Sequence, residues 1–192
     1  MLEVRHHDRH RFGGTATGRA TMIRSMKFAI SGLALATALT AAATNDARAQ
    51  DVLNVKAIGT ALARDIADKT VTACSDKGYS VSAVVVDRGG NDIAVLRHQF
   101  AAVQTIAIAG GKARGALMAG TPTAALRASR PELAANLNLL PDIKMMDGGL
   151  PISAGGMRIG AVGVSGAPGG DIDESCAQEA LDAVFDRIEF AQ

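Results

Sequence analysis

Nine of the 23 residues from Gly148 to Gly170 are glycine, and between them small residues alternate with apolar ones. That pattern reads as two strands joined at Gly155-Gly156. One of them is so short of side-chain bulk that another element must lie close against it. A second hairpin reads earlier in the chain. Ser80 to Asp87 is a strand, Arg88-Gly89-Gly90-Asn91 a tight turn and Asp92 to Arg97 the return strand. The run Ala83-Val84-Val85-Val86 is apolar on both faces, so the first of these strands is expected to be covered on both sides. Strands paired through short turns make an antiparallel sheet.

Helical periodicity fills the remainder. Ile58, Leu62, Ile66 and Val71 predict a helix over Asn54–Asp76, stopped by Gly78. Val103 to Met118 is helix-like despite Gly110-Gly111, a pair that costs about 1 kcal/mol per residue in a helix interior. It marks either the close approach of another group or a kink. Thr121-Pro122 predicts an N-cap with proline at the first helical position, Arg130-Pro131 turns the chain again, and Leu139 to Asp147 is loop-like. Asp171 to Glu174 has capping-box spacing, with Asp171 and Asp173 expected as caps and dipole partners. Ala177, Leu181, Val184, Phe185 and Ile188 give the closing helix its apolar stripe. Helix, hairpin, two helices, hairpin and helix make a single α+β domain of antiparallel sheet with helices packed on it.

The first 49 residues read differently. They carry seven basic and three acidic side chains, against 13 and 16 from Gln50 onward. Arg24 and Lys27 precede an uncharged run, Phe28 to Ala43, and Ala47-Arg48-Ala49 follows it. That order predicts a signal peptide cut after Ala49, with translation starting at Met22 or Met26 and a periplasmic or secreted domain over 50–192. The run is shorter than the ~20 residues that span a bilayer, so no stable membrane anchor is expected. Cys74 and Cys176 are the domain's two cysteines. After export they would either close a long loop as a disulfide or remain buried thiols.

Composition removes several chemistries. The acidic balance beyond Gln50, the absence of tryptophan and the single tyrosine, Tyr79, argue against a nucleic-acid partner. His6, His7 and His10 lie in the leader, which leaves His98 alone in the domain. A histidine zinc site needs several clustered ligands. Gly163-Val164-Ser165-Gly166-Ala167 lacks the second glycine of a nucleophile elbow, and no Walker lysine is present. No catalytic residue is assigned.

Three stretches, Ser80–Gly90, Arg97–Ala116 and above all Gly148–Ala177, carry a resemblance to the GlcG/HbpS-like family. It covers about Leu53 to Ile188. Members are implicated in haem binding and degradation, and the same domain ends PduO-type corrinoid adenosyltransferases. The resemblance implies a profilin-like fold, homo-oligomers and, in many members, secretion. Where the family often has Gly-Ala, this chain has Phe100-Ala101-Ala102, which places a large side chain near the expected mouth of the pocket.

A haem site wants an axial ligand, basic groups for the propionates and an apolar slot. His98 is the candidate metal ligand, with Arg97, Lys112 and Arg114 as candidate carboxylate partners. Met118, Met145, Met146 and Met157 are alternative ligands or, more simply, gap-filling core. The expected function is therefore an exported, homo-oligomeric binding protein for haem or a related tetrapyrrole. Two other classes stay open. One is an enzyme or sensor for a hydroxy-acid-like metabolite, holding a small carboxylate at Arg97 and Lys112 without metal. The other is an accessory subunit with no ligand.

Overall fold

The apolar strand expected to be covered on both sides lies inside the sheet. A computed structural model describes residues 53–190, so the leader, its apolar run and the cut after Ala49 lie outside the described residues. Strand β1 (Ser82–Asp87) pairs with β2 (Asp92–Arg97) on one side and β4 (Met157–Ser165) on the other, and β3 (Gly149–Ala154) completes the antiparallel order β2-β1-β4-β3. Both hairpins form where expected. Gly90 turns the first at φ +82°, and Gly155 and Gly156 turn the second at +57° and +76°. The Asp87 carboxylate accepts N–H bonds from Gly89 and Asn91, and the Asn91 side chain foremost holds it below the usual carboxylate range.

Successive residues of β1 and β4 send side chains to opposite faces. Ala83, Val85, Val162 and Val164 pack under α1 (Thr60–Asp76) and α5 (Gly170–Asp182). Val84, Val86 and Ala161 pack under Ala109, Ala113 and Ala116 of α2 (Gln104–Ala119). The result is a sheet sandwiched by helices, the α+β arrangement expected.

The cysteines join the two helices of the first face. Cys74 in α1 and Cys176 in α5 form a disulfide with Cα atoms 5.4 Å apart and 102 residues between them in sequence, and both are fully buried. A bridge closing so long a loop chiefly restricts the unfolded chain. Replacing both cysteines with alanine is expected to lower unfolding free energy by about 2–4 kcal/mol. Urea denaturation of the variant beside the oxidised protein measures it; equal midpoints would contradict a structural role for the bridge.

Several boundaries differ from the periodicity. Helix α1 begins at Thr60, not Asn54, because Ile58 donates its N–H to the Ile159 carbonyl at 3.2 Å and Gly59 takes the N-cap. Pro122 is itself the N-cap of α3 (Thr123–Ser129), one place earlier than expected for it, and Thr121 does not cap. Pro131 opens a further short helix, α4 (Pro131–Leu137), so three helices separate the hairpins rather than two. The closing helix breaks at Ala183-Val184, and α6 (Phe185–Glu189) follows. The capping box at Asp171–Glu174 does not form: α5 starts from Gly169 without a side-chain cap.

Candidate functional site

Glycines let α2 settle onto the sheet. Gly149 and Gly163 are cross-strand partners in β3 and β4. A Cβ on Gly163 would stand 2.5 Å from the Ala113 nitrogen, and one on Gly149 would stand 2.9 Å from the Lys112 carbonyl carbon. On the outer side of α2, Lys144 donates its backbone N–H to the Gly111 carbonyl at 2.9 Å, and a Cβ on Gly115 would lie 2.7 Å from the Lys144 carbonyl oxygen. The helix runs unbroken through Gly110-Gly111, so the pair makes no kink, and Gly111 is the member that another segment, at Lys144, approaches closely. Held from both sides, α2 brings Lys112 inside the protein.

Lys112 is 3% exposed. Its Nζ donates to Asp173 Oδ2 at 2.7 Å, in an ion pair buried on both sides. Asp173 Oδ1 accepts the Ala167 N–H at 3.1 Å, so this carboxylate ties α2 to the β4–α5 loop and neither caps nor merely complements the helix dipole. Above the pair opens a pocket of about 400 Å³ whose walls include Ile108, Met146 and Pro168. Arg127 and Asp147, paired bidentately through Nε and Nη2 of the guanidinium, form its rim. Ser165 at the end of β4 also lines it, and its hydroxyl has no hydrogen-bond partner among the described residues. Next to this pocket, burial lifts the Glu174 carboxyl above its ordinary range. The Gly148 N–H opposes that, the nearby Asp147 charge adds to it, and Lys112 opposes it.

The four residues singled out by sequence fall in three places. Arg97 and His98 follow each other at the end of β2. The Arg97 guanidinium donates to the carbonyls of His98, Gln99 and Ala101, so it staples its own loop. His98 is half-buried, continues the ladder by donating its N–H to Val81, and accepts the Phe100 N–H on Nδ1 at 3.3 Å. Lys112 occupies the buried pair. Arg97, Ser82 and Ser165 are successive cross-strand partners, so the His98 loop and the Lys112 pocket share one end of the sheet, about 10 Å apart by strand spacing. Arg114 is at the other end. It donates to the Gly90 carbonyl and pairs with Asp92 at the start of β2, roughly 20 Å along the strand from His98.

Phe100, expected near the mouth of a pocket, is 78% exposed and packs its ring on His98 with centroids 5.5 Å apart. Of the four methionines, Met145 alone is core; Met118, Met146 and Met157 are exposed. Asp173 and Ser165 are the site residues that sequence reasoning missed as such. The available signal was Lys112 itself, a charge set among alanines and glycines on a helix between two layers, which demands a buried counter-charge. Among the described residues no group of three or more His, Cys, Asp or Glu is placed to hold a metal, and no helix is long and apolar enough to cross a membrane.

The comparisons with known proteins agree with this architecture. A family model described as haem degrading protein HbpS-like matches residues 58–182. A double-mutant form of HbpS from Streptomyces reticuli is 34% identical, with a TM-score of 0.67 over 75% of this chain and 98% of that one. The Klebsiella pneumoniae protein ORFY is 32% identical, with a TM-score of 0.63 over 69% of this chain and 93% of that one. A PduOC–haem complex, 23% identical with a TM-score of 0.59, covers 66% of this chain and 94% of its own, and shares the fold. No curated protein sequence matches the chain significantly.

Proposed function

The chain belongs to the HbpS-like family of haem-degrading proteins, and on that premise we propose that it is an exported, homo-oligomeric haem-binding protein with His98 as axial ligand. The observation that carries this reading is the state of that imidazole. It is half-buried, its Nε2 has no partner among the described residues, and its neighbours Phe100 and Val103 present exposed apolar surface. A planar macrocycle needs such a surface beside its ligand. Arg97, next to His98 at this end of the sheet, is the cation within reach of a propionate, whereas Lys112 is buried against Asp173 and Arg114 is occupied at the far end. Bound haem would supply iron redox chemistry at the ring.

Two features of the site set conditions. A neutral imidazole that accepts on Nδ1 carries its proton on Nε2, so ligation through Nε2 requires the proton to move to Nδ1 and the Phe100 bond to open. An open surface covers one face of a macrocycle only. A second copy of the chain would cover the other, which is the physical reason to join haem binding to a homo-oligomer. The buried Cys74–Cys176 bridge supports export, since such bonds persist in oxidising compartments.

Haemin titration of the purified domain, followed by absorbance, tests the reading. A saturable Soret band is expected, with His98→Ala shifting the band and weakening binding at least about tenfold, the loss of one strong ligand contact. Light scattering should show haem bound to an oligomer. An unchanged band and affinity in His98→Ala would remove His98 from the role, and no saturable band in the parent protein would remove haem.

A further inference from the structure

The pocket above Lys112 has a use of its own. We propose that it binds a small organic monocarboxylate with a short apolar tail, held by Lys112, Ser165 and the first turn of α5, independently of any haem at His98.

The hydrogen-bonding capacity left over in the pocket dictates the ligand. Both oxygens of Asp173 already accept, from Lys112 and from the Ala167 N–H, and both oxygens of Asp147 accept from Arg127. What remains unspent is donors. An ammonium group has three protons, and Asp173 takes one of those on Lys112. The Ser165 side chain is the decisive observation. It is 7% exposed and lines the pocket, and its hydroxyl, which has no hydrogen-bond partner among the described residues, stays accessible from the pocket instead of being sealed in the core. Gly170, the first residue of α5, also lines the pocket, and Gly169 brings no side chain to cap the free N–H groups of that 13-residue helix. Three kinds of donor converge, so the ligand must bring acceptors. The positive end of α5 favours an anion among acceptor-bearing groups.

Charge and shape narrow it further. Asp147 and Asp173 stand in the pocket and Asp171 in the first turn of α5. Their charges repel a divalent anion such as phosphate more than a singly charged carboxylate. Ile108, Met146 and Pro168 supply apolar wall for a short aliphatic tail. At about 400 Å³ the space suits a small molecule.

Butyrate is the probe, added to the haem-free protein while amide resonances of Ser165, Gly166, Ala167 and Gly170 are followed by NMR. Saturable shifts at these residues in the roughly millimolar range are expected for so few ligand atoms. Butyramide, which has the same shape without the charge, and inorganic phosphate should each bind at least about tenfold more weakly. Ser165→Ala should weaken butyrate roughly tenfold and leave the thermal midpoint unchanged, since the hydroxyl it removes bonds nothing among the described residues. The proposal is overturned by shifts elsewhere or none, by butyramide or phosphate binding as well as butyrate, or by an unaltered affinity in Ser165→Ala. Displacement of butyrate by one equivalent of haemin would also overturn it, by showing the pocket to be the propionate end of the haem site. A failure to bind haemin leaves this experiment untouched.

Discussion

Replacing Gly163 with valine is expected to unfold the domain or cost at least about 4 kcal/mol, the range reserved for severe core damage. Gly163 is opposite Val84 in β1 and Gly149 in β3, so it is on the inner ladder of the sheet, directly beneath α2. A Cβ there would stand 2.5 Å from the Ala113 nitrogen and closer still to the Ala109 carbonyl oxygen, both backbone atoms of a helix. Overpacking that meets a flexible side chain is relieved by a rotamer change. Here it can be relieved only by lifting α2, and Lys144 clamps α2 from outside through Gly111 and Gly115. Valine at Gly156 is the control. It has open space and a positive φ, so it should cost only the roughly 1–2 kcal/mol of a strained turn. Circular dichroism and urea denaturation of the two variants read the contrast, and a Gly163→Val protein as stable as the parent would refute close helix–sheet contact as the reason for this glycine.

The same glycines explain what the sequence could and could not disclose. The run of alternating small and apolar residues from Gly148 to Ser165 announced a hairpin, its turn and the close approach, because each is a local property of the chain. The paired glycines of α2 announce close contact without saying with what, and the partner is Lys144, whose side chain and backbone N–H lie against Gly111. Periodicity failed where an apolar residue is buried without being helical. Ile58 keeps helical phase with Leu62 and Ile66, yet its N–H pairs with Ile159, and nothing within a few residues encodes that contact. The site failed for the same reason. Arg97, Lys112 and Arg114 are close in sequence and look like one basic corner, but a strand and a helix carry them apart, and each finds a different acceptor. Lys112 and Asp173 are 61 residues apart, so Asp173 is legible locally as a helix-start acid and only globally as a counter-ion.

That ion pair is the second place where a large effect is expected. Lys112→Met keeps the length of the side chain and removes its charge, leaving Asp173 buried without a cation. Breaking one partner of a buried pair costs about 3–5 kcal/mol, chiefly because the remaining charge stays unsolvated. The pair itself need not stabilise the fold by that much, since burying both charges is costly in the first place. Lys112→Met combined with Asp173→Asn separates the two contributions. Asparagine retains an oxygen for the Ala167 N–H and carries no charge, so the double variant should recover most of the loss and stand within about 1–2 kcal/mol of the parent. Chemical denaturation of the parent, both single variants and the double variant gives the coupling energy directly. Additive losses would mean that Lys112 and Asp173 act separately, and the floor of the pocket would then have to be attributed to packing alone. Strong coupling with a stable double variant would mean instead that the charges are not required for folding, which makes their retention at the floor of a pocket a matter of what the pocket holds.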